Sequence, residues 1–107
     1  MKTKEQIEAL RVALLRARHE AEKLADVEDG GTCNFDTPYL FLINWKNTEI
    51  EEAFKLTGLR PYIRSTGQVL VFDACAGQGF RRTAMAEAFR DSLKASGYNA
   101  YVEYRMD

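Results

Sequence analysis

Two stretches of the chain carry side chains suited to chemistry. In the first, Gly77-Gln78-Gly79 runs directly into Phe80-Arg81-Arg82-Thr83, which reads as the first turn of a helix. A helix start exposes backbone N–H groups and the positive end of the helix dipole. Hydroxyl or acidic residues usually satisfy it. Here the expected N-cap is Gly79, and the first turn carries Arg81 and Arg82, the wrong sign for the dipole. Open N–H groups, a flexible loop and two guanidinium groups suit an anion such as a phosphate. The structural alternative is that Arg81 and Arg82 pair with Asp36, Asp73 or Asp107 and that the glycines only serve turns. The spacing is neither a Walker loop, which needs a lysine, nor a dinucleotide fingerprint.

The second stretch is Cys33-Asn34-Phe35-Asp36. Cys33 and Cys75 are too few for a zinc site by themselves, and the only histidine, His19, falls on a different segment. They also lack Cys-x-x-Cys spacing, so small buried hydrophobes are the plainer reading. Asp36 and Asp73 would matter as an acid–base pair only if the fold brought them together. No metal and no cofactor are implied, and no catalytic triad can be assembled around His19.

The elements that position these residues follow from periodicity. Thr3 to Val27 lacks Gly and Pro, and Ile7, Leu10, Leu14, Ala17, Ala21 and Leu24 recur at spacings of three and four. That predicts a long helix over residues 1–28, either paired as a coiled coil or lying on its own domain. Asp29-Gly30-Gly31 ends it. Phe35 to Trp45 predicts a central strand with Tyr39, Phe41, Ile43 and Trp45 on one face and Leu40 and Leu42 on the other, both buried. Asn47-Thr48 opens a second helix, with Thr48 and Glu51 as a capping box and Gly58 as its stop. Tyr62 to Ser65 and Gln68 to Ala74 form a hairpin around Thr66-Gly67. Phe80 to Ser96 is a third helix, and Tyr98 to Met106 a last strand.

After the first helix the order is βαββαβ over residues 29–107, the ferredoxin-like arrangement, with strands in the order 4-1-3-2. Fold class is thus α+β, a ferredoxin-like four-stranded antiparallel sheet preceded by a long helix. In that arrangement the start of strand one, the end of strand three, the start of the last helix and the end of strand four share one edge. Helices cover one sheet face; the N-terminal helix or a second subunit must cover the other.

Two local resemblances accompany this reading. Val69-Leu-Val-Phe-Asp73-Ala-Cys-Ala-Gly77-Gln-Gly79 resembles the strand-to-glycine loop of Rossmann-type methyltransferases, which approaches S-adenosylmethionine; the likeness covers that stretch alone, and only one strand follows it. Gly31-Thr-Cys-Asn-Phe-Asp36 together with Gly77-Gln-Gly-Phe-Arg-Arg-Thr-Ala-Met-Ala-Glu87 resembles small proteins encoded in bacterial prophages. That resemblance implies a phage accessory role, such as an inhibitor of host defence or a sponge for nucleotide signals.

Composition bounds the rest. The chain has 107 residues, 46% of them apolar and 29% charged, as expected of a globular domain that buries a core without staples. Net charge is −1, so no broad basic field favours nucleic acid or membrane. Tyr62, Tyr98, Tyr101 and Tyr104 lie on expected strands, but the RNP-type pattern of basic and aromatic residues is absent from both inner strands. Core packing and a subunit interface are the readings preferred over RNA. No apolar run reaches the roughly 20 residues of a membrane span, and no signal peptide is evident, so the cytoplasm is expected.

The expected function is a non-enzymatic binding module, a homodimer, holding an anionic small ligand such as a nucleotide. Its site residues are Cys33, Asn34, Asp36, Asp73, Gly77, Gln78, Gly79, Arg81, Arg82 and Thr83. The competing readings are a protein-interaction module acting on a host protein through the first helix or the sheet face, and a small enzyme acting on a phosphate ester.

Overall fold

The computed structural model describes residues 1–31 and 33–106, apart from the side chain of Thr66. Thr3 starts the first helix, α1 (Lys4–Glu22): its hydroxyl accepts the Gln6 N–H at 3.1 Å and the Gln6 side chain accepts the Thr3 N–H at 2.8 Å. Both halves of a capping box are therefore made. The helix ends five residues before the expected Val27, in a run of turns.

Strands β1 (Thr37–Phe41), β2 (Arg60–Ile63), β3 (Gln68–Phe72) and β4 (Asn99–Glu103) form one antiparallel sheet. Helices α2 (Asn47–Phe54) and α3 (Gly79–Ala95) follow β1 and β3. Hydrogen-bonded neighbours run β2-β3-β1-β4, which from the other edge is β4-β1-β3-β2. β1 is thus an inner strand. Because β3 runs antiparallel to both neighbours, the loop after it does not sit in the parallel sheet that a Rossmann glycine loop requires.

The strands are shorter than the apolar runs. β1 stops at Phe41 because Asn44 turns the chain with a φ of 68°, leaving Ile43 exposed. β2 and β3 join through a 3₁₀ turn at Ser65–Gly67, where Gly67 takes a φ of 82°. The α2 cap also differs from expectation. Lys46 N–H donates to Glu49 Oε1 at 2.8 Å and Lys2 N–H to Glu49 Oε2 at 2.7 Å, so Glu49, not Glu51, is the capping carboxylate. Those N–H groups, that of Lys46 first, hold the Glu49 carboxyl below its usual range.

Alternation along the strands separates two faces. Pro38, Leu40, Val69, Val71, Ala100 and Val102 share one face through the register Leu40↔Val69, Leu40↔Ala100 and Pro38↔Val102. They join Ile50, Phe54, Met85, Phe89 and Leu93 in the core. Leu10, Leu14, Ala17 and Ala21 of α1 are fully buried in this same core, and α1 packs against α3 and α2. The helix therefore lies on its own domain, and the coiled-coil alternative does not hold. It also lies on the helix side of the sheet. The other face, with Tyr39, Phe41, Tyr62, Phe72 and Tyr101, has no described element over it, and the expectation that both faces of β1 are buried is corrected. No described helix is long and apolar enough to cross a membrane.

Candidate functional site

Helix α3 begins at Gly79, with Gln78 rather than Gly79 at the N-cap and no side-chain cap from that residue. The missing cap comes from 49 residues earlier. Asp29 Oδ1 accepts the Gln78 N–H at 2.6 Å, and the Gly30 carbonyl accepts the Phe80 N–H at 2.8 Å. Arg81 leans the same way: its Nε donates to the Val27 carbonyl at 2.9 Å and its Nη1 lies 3.9 Å from Asp29 Oδ2. A Cβ on Gly77, where φ is 78°, would come within 2.8 Å of Asp29 Oδ1, so glycine admits this carboxylate. The chain's own anion thus fills the place that sequence reasoning left open for a ligand. An acidic residue in the loop that stops α1 was the signal for it, but nothing local ties that loop to α3.

The neighbouring residues make a clasp. Asp36 is 5% exposed; Oδ2 accepts the Thr83 hydroxyl at 2.6 Å and Oδ1 the Arg105 N–H at 2.9 Å. Its carbonyl accepts Arg82 Nε at 2.9 Å. Asn34 donates from Nδ2 to the Gly79 carbonyl at 3.1 Å and to Thr83 Oγ1 at 3.3 Å, while its Oδ1 accepts the Asp36 N–H. Asn34, Asp36, Gly79, Arg82 and Thr83 therefore meet at one edge, as the topology implied. They hold the start of β1, the first turn of α3 and the end of β4 together.

Asp73 does not join them. It pairs with Arg60 through two contacts at 2.6 and 3.2 Å, and the hydrogen bond from Arg60 holds its carboxyl below the usual range. An acid–base pair of Asp36 and Asp73 is therefore not assembled. Thr32 and Asp107, also placed on this edge by the sequence, lie outside the described residues.

Both cysteines are free thiols. Cys33 is exposed and donates to Gln78 Oε1 at 2.8 Å, whereas burial pushes the Cys75 thiol up to about 11. Because the thiolate is the reactive form, Cys75 should be inert at neutral pH. The native protein is expected to react with one equivalent of Ellman's reagent at pH 7.5, and with two in denaturant. Two fast equivalents from the native state would contradict the burial. Among the described residues no group of His, Cys, Asp and Glu could hold a metal.

Two cavities flank the clasp. One, of about 530 Å³, lies along α3 and is lined by Cys33, Asn34, Asp36, Phe80, Thr83, Glu87, Tyr104 and Arg105 among others. Its carboxylates outnumber its single arginine, so it does not suit an anion. The other, of about 330 Å³, opens on the uncovered sheet face. Phe35, Tyr62 and Phe72 give it aromatic walls, and Arg64, Arg82 and Arg105 give it charge, against Glu103 alone.

No family model matches the chain, and no curated protein or solved structure does.

Glu103 is already paired with Arg64 at 3.3 Å, which leaves Arg82 and Arg105 as uncompensated charge in the sheet-face cavity. The Arg82 Nη atoms and the Arg105 guanidinium have no hydrogen-bond partner among the described residues. Arg82 was singled out by its place in a helix first turn, and Arg105 falls on the same edge at the end of the last strand but was given no role; Arg64 and the aromatic walls were missed, because only the register of four strands gathers them.

Proposed function

We propose that the protein is a non-enzymatic binding module for an aromatic anion of the nucleotide class, held in the cavity on the open sheet face. The observation that carries this reading is the grouping of Arg64, Arg82 and Arg105 around Phe35, Tyr62 and Phe72. Guanidinium groups fit phosphate oxygens, and aromatic rings stack on a base. The cavity volume lies at the lower end of the range for ligand pockets, roughly 300–1,000 Å³. Asp36 is a positioning residue: its carbonyl orients the Arg82 guanidinium and its carboxylate anchors the Arg105 backbone. The ferredoxin-like arrangement is the fold reading supported by the strand sequence β4-β1-β3-β2 and the βαββαβ order. The likeness to small prophage proteins implies an accessory role, as an inhibitor of host defence or a sponge for nucleotide signals, and the second of these fits a nucleotide site.

The test separates two adjacent arginines. Nucleoside mono- and triphosphates, cyclic nucleotides and inorganic phosphate are screened by thermal shift. A ligand present at 100 times its dissociation constant adds about 2.7 kcal/mol, which for a domain of this size moves the melting temperature by about 10 °C. Arg82→Ala should remove most of that shift. Arg81→Ala, which alters only the Asp29 side of the helix start, should keep it. Loss in the Arg81 variant with retention in the Arg82 variant would return the ligand to the helix N-terminus and contradict the cavity.

A further inference from the structure

The uncovered sheet face extends beyond the arginine cavity. The pairings Tyr62↔Leu70, Leu70↔Tyr39 and Tyr39↔Tyr101 set one residue of each strand in a single row across the sheet. All four project from the face opposite the helices. Tyr62 and Tyr101, at the ends, are 52% and 42% exposed. The Tyr39 and Tyr101 rings stack at 5.5 Å with 24° between their planes, and Phe41 meets Tyr101 edge-on at 5.8 Å. Strands lie about 4.8 Å apart, so the row offers a platform roughly 14 Å long, room for about two or three bases.

Charge decides what can lie on it. A second copy related by a two-fold axis would set this face against itself. The carboxylates on the face are Asp73 and Glu103, already paired with Arg60 and Arg64, and the far side holds Phe41, Asn99 and Tyr101. Such a copy would give Arg82 and Arg105 no counter-charge. A chain of phosphates with stackable bases would satisfy both the arginines and the rings.

We infer that the open sheet face binds a short single-stranded nucleic-acid segment, one nucleotide in the arginine cavity and the next bases on Tyr62, Tyr39 and Tyr101. This rests on the nucleotide reading above and specifies its ligand. The chain's net charge of −1 does not oppose it, since the arginines needed are gathered locally.

The experiment is fluorescence anisotropy with a labelled mixed-sequence RNA 12-mer and the DNA of the same sequence, beside mononucleotide thermal shifts. It uses wild-type protein, Arg82→Ala and Tyr101→Ala, with sedimentation run on each. Tyr101 lies outside the cavity on an edge strand, so its replacement should weaken 12-mer binding about tenfold, within the 1–3 kcal/mol range per stacked base, and leave the mononucleotide shift intact. Arg82→Ala should weaken both. Should Tyr101→Ala fail to fold, Tyr101→Leu removes the stacking ring and keeps an apolar strand residue. Mononucleotide binding without tighter binding of either 12-mer, or 12-mer binding indifferent to Tyr101, would each overturn the nucleic-acid inference and leave the cavity standing. A wild-type dimer that Tyr101→Ala dissociates would assign the face to a second copy. Silence in every assay would overturn the nucleotide reading too.

Discussion

Leu14→Ala is expected to lower the unfolding free energy by about 2–5 kcal/mol, the usual cost of a large-to-small change in a packed core. Leu14 is fully buried, in one cluster with Leu40, Val69 and Phe89 from the sheet and α3. Little can collapse into the space, because α1 meets its neighbours through Ala13, Ala17 and Ala21, which already bring the backbones close. A denaturant melt followed by circular dichroism measures the loss. The neighbouring exposed position makes the control: Leu15→Ala should change stability by less than about 0.5 kcal/mol. If α1 were a detachable arm that paired with another copy, Leu14→Ala would leave the monomer's melt unchanged and alter only its association.

Asp36→Ala is expected to cost about 2–4 kcal/mol and also to weaken ligand binding. Removing the carboxylate leaves the Arg105 N–H without its partner and takes from Thr83 the shorter of its two hydroxyl contacts; an unpaired buried donor costs roughly 1–3 kcal/mol. Asp36→Asn should be far milder. The amide oxygen can still accept from Arg105, its NH₂ can donate to Thr83, and the Thr83 hydroxyl can turn fully to the Gly79 carbonyl, 3.1 Å away. The melt and the ligand titration should therefore rank the proteins wild type, Asn, Ala in both respects. An alanine variant as stable as wild type would mean the clasp is not what holds the edge together.

The sequence showed most of the elements and little of their ends. Periodicity found α1 and α3, and the alternation Ala100, Val102 found β4, because burial of one face writes a repeat into the chain. Ends depended on contacts outside the local window. β1 ended at Phe41 through the left-handed turn at Asn44. The α2 cap fell to Glu49 because the chain's second residue reaches it. The same distinction runs through the site. Asn34, Asp36, Gly79, Arg82 and Thr83 were legible as a group because topology alone sets their segments on one edge. The uncapped start of α3 was misread, since Asp29 arrives from the end of another element. The tyrosine row was only partly legible for a related reason: Tyr62, Tyr39 and Tyr101 could each be placed on a strand, but only the register aligns them across Leu70.

The central claim is that an aromatic anion sits on the sheet face between Arg82 and the ring of Tyr62. A titration of ¹⁵N-labelled protein with a nucleoside monophosphate, followed by heteronuclear NMR, tests it most directly. The account predicts shifts at Phe35, Tyr62, Arg64, Phe72 and the Nε resonances of Arg82 and Arg105, with Gly77 and Gln78 unmoved. Shifts confined to Gly77, Gln78 and Arg81, or none at saturating nucleotide, would contradict it.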